Sequence, residues 1–160
     1  MRMPLLLRGL VFTILVPGVV GGWLPYTIAN TPAAGGIHNL GWLLTAIGAG
    51  IYLSCLRGFL AVGGTPTIYF ARPLRFLIGQ EPNALVTHGL YDYTRNPMYV
   101  GVLLAIAGQA VVLASIRVAI YGLGLFVVLT LVVRFLEEPH LRAARGREYD
   151  EYCQRVPRWL

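Results

Sequence analysis

Two neighbouring carboxylates, Glu137 and Glu138, and a polar run earlier in the chain are the side chains most able to do chemistry. The run reads His88-Gly89-Leu90-Tyr91-Asp92-Tyr93-Thr94-Arg95-Asn96-Pro97-Met98-Tyr99-Val100-Gly101 and leads into an apolar stretch. The next apolar stretch ends in Arg134-Phe135-Leu136-Glu137-Glu138-Pro139. Adjacent carboxylates beside apolar chain repel each other and lose hydration, so they require a cation or hydrogen-bond donors. Arg134, Arg95 or His140 could meet that need as an internal ion pair, and a cationic or hydroxyl-rich ligand could meet it equally. Tyr91, Tyr93 and Tyr99 are residues of a type that anchors at bilayer interfaces. Together with the two glutamates they could also surround a sulfonium through cation–π contact and charge. Pro97 suits the first turn of a helix, with Arg95 and Asn96 offering donors just outside it.

Other chemistries find little support. Gly48-Ala49-Gly50 and Gly122-Leu123-Gly124 resemble fragments of a dinucleotide loop, but they sit inside apolar stretches with no preceding strand and read as packing glycines. No phosphate-binding loop motif is present. Ser54 and Ser115 have no His and acid near them in sequence, which argues against a serine hydrolase. His38, His88 and His140 are too scattered for metal-ligand spacing, and Cys55 and Cys153 form neither a CxxC nor a disulfide framework. No metal site is expected.

Composition dictates what positions these groups. Of 160 residues, 56% are hydrophobic and only 12% charged, with a mean hydropathy of +0.64. A soluble domain carries about a quarter charged residues, so this chain requires an apolar solvent, a bilayer. Stretches of about 17 to 25 residues with few charges give an all-α, multi-pass protein of about four transmembrane helices, at 9–25, 40–62, 98–116 and 118–136. A loop at 63–97 and a tail at 137–160 complete what reads as a single membrane-embedded domain. Arg2 and Arg8 before the first span also allow a cleavable signal peptide, but no small-x-small site follows closely and a retained helix is the better reading.

The formal charge is +6, carried by thirteen arginines without a lysine. The arginines fall between apolar runs instead of forming a stripe, so nucleic acid is not an expected partner. Twelve of the thirteen lie on one inferred side, which predicts cytoplasmic N- and C-termini. The Ser115-Ile116-Arg117 turn predicts an antiparallel hairpin of the third and fourth spans, with Gly101 and Gly108 facing Gly122 and Gly124. Both polar stretches would then emerge on one side and share a cavity. Leu141, Ala144, Tyr149, Tyr152, Cys153 and Val156 can occupy one face of an interfacial amphipathic tail helix.

These residues resemble a known family. Gly89-x-Tyr91-x-x-x-Arg95-Asn96-Pro97-Met98-Tyr99-x-Gly101 is followed, after two helices, by Glu137-Glu138-Pro139-x-Leu141, Gly146-x-x-Tyr149-x-x-Tyr152 and Val156-Pro157-Arg158-Trp159. In order and spacing this resembles the isoprenylcysteine carboxyl methyltransferase and phospholipid methyltransferase superfamily, over roughly Gly63 to Trp159 and including a Gly64-Thr65-Pro66 element. The resemblance implies an integral membrane methyltransferase that uses S-adenosylmethionine without a Rossmann domain. It implies that His88, Gly89, Tyr91, Arg95, Asn96, Pro97, Tyr99, Gly101, Glu137 and Glu138 bind the cofactor. For the methyl transfer itself Glu138, Arg95 and Arg134 are the candidates for catalysis, with Glu138 or Glu137 the nearest base for an amine or hydroxyl, and Arg158 is the candidate for holding the acceptor. Many members have His where this chain has Asn96, which keeps a hydrogen-bonding side chain but cannot carry a proton.

The expected acceptor is lipophilic, an isoprenylcysteine-type carboxylate or a lipid amine or hydroxyl, and the bilayer is the expected partner. Arginine without lysine suggests GC-rich coding and a prokaryotic plasma membrane. Two other classes stay open: a sterol-reductase-like enzyme using NADPH, and a non-catalytic four-helix transporter or assembly protein. Against the transporter, no acid lies inside a predicted span.

Overall fold

The computed structural model describes residues 4–29, 38–65 and 84–160. Every regular element among them is helical: α1 (Leu5–Thr13), a π-helical segment (Ile14–Trp23), α2 (Leu24–Ala29), α3 (His38–Ala61), a 3-10 turn (Gly89–Asp92), α4 (Pro97–Val112), α5 (Ile116–Val132), a second π-helical segment (Val133–Glu137), α6 (Glu138–Arg145) and α7 (Arg147–Arg155). Three continuous helices, Leu5–Ala29, His38–Ala61 and Ile116–Arg145, are long and apolar enough to cross a membrane. Pro97–Val112 is apolar but shorter, at 16 residues, a rise of about 24 Å. Large apolar side chains such as Leu6, Trp42, Leu123 and Phe135 point outward, as they do where lipid is the solvent. The chain is an all-α membrane protein.

The closest helix pair is α3 with α4, not α4 with α5. A Cβ at Gly48 would lie 2.5 Å from the Ala105 nitrogen and the Gly101 oxygen, and one at Gly101 would lie 2.7 Å from the Gly48 oxygen. Gly41 and Gly108 face each other in the same way. Glycines seven apart return to one helix face after nearly two turns, so Gly41/Gly48 and Gly101/Gly108 form matching smooth stripes. Gly122 and Gly124, two apart, lie on different faces: Gly122 meets the Ile106 side chain and Gly124 meets nothing within 4 Å. The expected Gly101/Gly108 contact with Gly122/Gly124 is corrected accordingly.

The α4–α5 hairpin turns at residues 113–115, so Ile116 and Arg117 open α5 instead of forming the turn. Ser115 N–H donates to the Ala110 oxygen (3.0 Å) and Ala114 N–H to the Val111 oxygen (3.2 Å), with Ala114 at φ 44°. This pairing satisfies the last carbonyls of α4 at the cost of a left-handed alanine.

Two prolines shape the first membrane helix. Pro17 sits within its π-helical segment, and Pro25 lacks the N–H that the Val20 or Gly21 carbonyl would otherwise receive. Apolar surroundings make an orphan carbonyl expensive. The Tyr121 hydroxyl donates to the Val20 oxygen at 2.8 Å, and the Gln109 amide donates to the Gly21 oxygen. The first helix is thereby tied to both α4 and α5.

The tail is two helices instead of the single one expected, broken at Gly146 with φ 53°. Tyr149, Tyr152 and Val156 are buried together against Leu85, Leu141 and Cys153. Of the Gly64-Thr65-Pro66 element, Thr65 is fully buried and Pro66 lies outside the described residues, as does most of the 63–97 loop.

Candidate active site

Pro97 opens α4 with a ring that needs no N–H partner, and Gly89, at φ 73°, opens the 3-10 turn that carries Tyr91 inward. The residues between are fastened to the end of the chain. Arg95 N–H donates to the Pro157 oxygen at 2.9 Å. Thr94 Oγ1 and Asn96 Nδ2 both donate to the Arg158 oxygen, at 3.1 and 2.9 Å. A neutral amide is all that this last contact requires, which accounts for Asn at position 96.

The second π-helical segment delivers Glu137 and Glu138 to different partners. Arg158 grips both oxygens of Glu138, Nε to Oε1 at 2.7 Å and Nη2 to Oε2 at 2.9 Å. Arg95 Nη1 lies 3.1 Å from the same Oε1, and the Arg95 and Glu138 side chains are only 11% and 4% exposed. Bidentate, buried pairing of this kind is strong and directional. Arg95 Nη1 also reaches Cys153 Sγ at 2.7 Å, while Arg95 Nε is buried with no protein partner. Glu137 instead accepts a hydrogen bond from the Tyr99 hydroxyl on Oε1.

Tyr152 O–H donates to the Tyr91 oxygen at 2.8 Å. Burial pushes the Tyr152 phenol up to about 12 and raises those of Tyr91 and Tyr149 as well. At neutral pH all three are uncharged rings with O–H donors.

These groups border one cavity of about 580 Å³, within the size range of ligand sites. Tyr91, Arg95, Asn96, Tyr99, Glu137 and Glu138 make its polar end. Its apolar arm runs between Val16, Pro17 and Val20 of the first helix and Leu125, Val128, Leu129 and Val132 of α5.

The family model described as phospholipid methyltransferase matches residues 37–148. The chain belongs to this family. Protein-S-isoprenylcysteine O-methyltransferase B of Arabidopsis thaliana is 39% identical over 84 residues, 49% of this chain and 40% of the relative. A probable protein-S-isoprenylcysteine O-methyltransferase of Oryza sativa subsp. indica is 35% identical over 78 residues, 48% of this chain and 40% of the relative. The nickel-cobalt-cadmium resistance protein NccN of Alcaligenes xylosoxydans xylosoxydans is 32% identical over 83 residues, 51% and 38% of the two chains. The chain thus spans about two-fifths of the length of the curated relatives it matches. No solved structure matches it.

Within this family member, the sequence candidates separate by position. Tyr91, Arg95, Asn96, Tyr99, Glu137 and Glu138 come together on the cavity. His88 and Gly89 are exposed and do not line it, although Gly89 sets the turn that places Tyr91. Pro97 and Gly101 are buried, the first starting α4 and the second packed on α3, so they shape the wall without bordering the space. Arg134 is exposed over the Phe135 ring, 5.6 Å from its centroid, and turned away from the site. Arg158 acts as the clamp on Glu138 and does not border the cavity.

The sequence reading missed the apolar arm and the positions of Tyr149 and Tyr152 on the cavity. The i, i+3 spacing of the two tyrosines was a usable signal. The arm had none, because Val16, Pro17 and Val20 are indistinguishable in type from lipid-facing residues.

Proposed function

We propose that this chain is an integral membrane methyltransferase that uses S-adenosylmethionine to methylate the head group of a lipophilic acceptor. The carrying observation is the two-part cavity, in which a charged, tyrosine-walled end is continuous with an apolar arm between membrane helices. Family membership and the names of the relatives support the same reading. The polar end fits the cofactor's chemistry: Arg95 Nε is a buried donor in need of an acceptor, Glu137 brings a carboxylate suited to an ammonium, and Tyr91 and Tyr99 bring aromatic rings suited to a sulfonium.

When bound, S-adenosylmethionine supplies an electrophilic methyl group on sulfur. The chain's part is to hold the acceptor atom in line with that methyl and to keep water out. The tyrosine and aliphatic walls exclude water. Transfer to a carboxylate oxygen forms an O–CH3 bond as the S–CH3 bond breaks, and yields an ester and a neutral thioether without moving a proton. An amine or hydroxyl acceptor would also lose a proton, and Glu137 suits that task better than Glu138, whose oxygens are engaged by two guanidinium groups. The arginine distribution supports cytoplasmic termini and cofactor access from the cytoplasm.

The test incubates membranes containing the protein with methyl-labelled S-adenosylmethionine and extracts them. Label in the organic phase that depends on Glu137 is the expected result. Label confined to water-soluble products, or unchanged by Glu137→Gln, would refute the reading.

A further inference from the structure

Arg95 lines the polar end of the cavity, and its guanidinium is held through Nη1. This nitrogen carries two hydrogens in the guanidinium plane, and it lies 3.1 Å from Glu138 Oε1 and 2.7 Å from Cys153 Sγ. One such contact is a pivot, whereas two on one nitrogen fix the plane. The other edge of a guanidinium, Nε with Nη2, is the one with which Arg158 takes both oxygens of Glu138. On Arg95 the Nε of that edge is buried with no partner among the described residues. Cys153 is a free thiol on α7, packed with Tyr149, Tyr152 and Val156, so the second contact comes from a well-packed part of the tail.

We propose that Cys153 is a positioning residue: its sulfur fixes the Arg95 guanidinium so that the Nε edge meets the carboxylate of a bound α-amino-acid group. This rests on reading the polar end as the S-adenosylmethionine site. Arg95 and Glu137 line the same end and match the two charges of an amino-acid zwitterion, carboxylate to Arg95 and ammonium to Glu137. Cys153 does not line the cavity, so it acts through Arg95. Without the sulfur the guanidinium turns about its contact with Glu138, and the orientation that a bidentate carboxylate contact demands is lost.

The experiment uses the full chain in nanodiscs, titrated with S-adenosylhomocysteine and with its decarboxylated analogue, S-adenosyl-3-thiopropylamine, which keeps the ammonium and lacks the carboxylate. Cys153→Ala is expected to weaken S-adenosylhomocysteine about tenfold, the lower end for losing a charged hydrogen bond, and to leave the analogue unchanged. Cys153→Ser restores an acceptor on a shorter bond and is expected to fall between, and it decides the matter if Cys153→Ala fails to fold. Equal weakening of both compounds marks a merely structural role and overturns the proposal, as does no weakening of either. A second readout needs no ligand: the Arg95 Nε–H resonance of nitrogen-15-labelled protein, assigned by its loss in Arg95→Lys. It is expected to shift in Cys153→Ala, and an unmoved signal overturns the positioning. Binding of neither compound by the wild type rejects the cofactor reading. A signal that still moves then keeps Cys153 as the residue that sets Arg95, and one that does not move removes it.

Discussion

Removing the Glu138 carboxylate, which is buried, leaves Arg95 and Arg158 facing each other without their counter-ion. Breaking a buried pair strands the remaining charge at about 3–5 kcal/mol. Glu138→Ala is therefore expected to lower the thermal midpoint sharply, which makes it a poor probe of ligand contact. Glu137→Gln keeps the shape and the Tyr99 contact, and is expected to weaken S-adenosylhomocysteine binding by about 1.5–3 kcal/mol with the midpoint nearly unchanged. Calorimetric titration beside a melting curve separates the two. Equal loss of stability in both variants would contradict the division of labour. Arg134→Ala, at an exposed side chain, should alter neither. The Tyr152 phenol supplies a pH dependence: its folded value near 12 lies above the ordinary value of 10.0 because of burial. Its stabilisation is complete below pH 10 and is lost as pH rises towards 12. Tyr152→Phe should flatten the alkaline fall in stability while lowering stability at neutral pH, since the Tyr91 carbonyl loses its donor.

Helix contacts set the next scale, and two pairs of glycines carry them. Gly48→Ala would force a Cβ to 2.5 Å from the Ala105 backbone, whereas Gly50→Ala meets nothing within 4 Å. The first substitution should separate α3 from α4 and reduce folded yield, and the second should be tolerated. Monodisperse fraction by size-exclusion chromatography reads the difference. If Gly48→Ala behaves like Gly50→Ala, the backbone-to-backbone stripe is not what holds the pair. At the hairpin turn, Ala114 occupies a left-handed conformation at φ 44° that costs an L-residue about 1 kcal/mol. Ala114→Gly should raise the melting point by relieving it. An unchanged or lower midpoint would mean that the turn relaxes in the membrane. The amphipathic tail was legible from periodicity, but its break at Gly146, with φ 53°, was not, because a single glycine inside a helical pattern does not by itself end a helix.

At the scale of the molecule, apolar run length gave the helical class and the motif residues gave the polar end of the cavity. The ion-pair reading already named Arg95 as a partner for the glutamates, but not Arg158, whose meeting with Arg95 on Glu138 depends on the chain doubling back after α7, a tertiary fact with no local signature. The partners of Gly101 and Gly108 were likewise hidden, since a stripe of glycines states that a backbone approaches without naming it. The segment after Val156 is tied by the clamp to the polar end of the cavity. It supplies the Pro157 carbonyl for Arg95, the Arg158 carbonyl for Thr94 and Asn96, the guanidinium for Glu138, and Trp159 against Phe126 at 5.2 Å. Ending the chain at Val156 should release Arg95 and the start of α4 together, leaving the membrane helices in place. S-adenosylhomocysteine affinity should fall more than about tenfold, the loss expected when a charged hydrogen bond is removed, while far-ultraviolet dichroism changes little. Arg158→Ala, which keeps the carbonyl acceptor and removes only the guanidinium, should fall between wild type and truncation. Equal affinity in all three proteins would show that the polar end holds its shape without the chain's last turn, and the clamp would have to be abandoned.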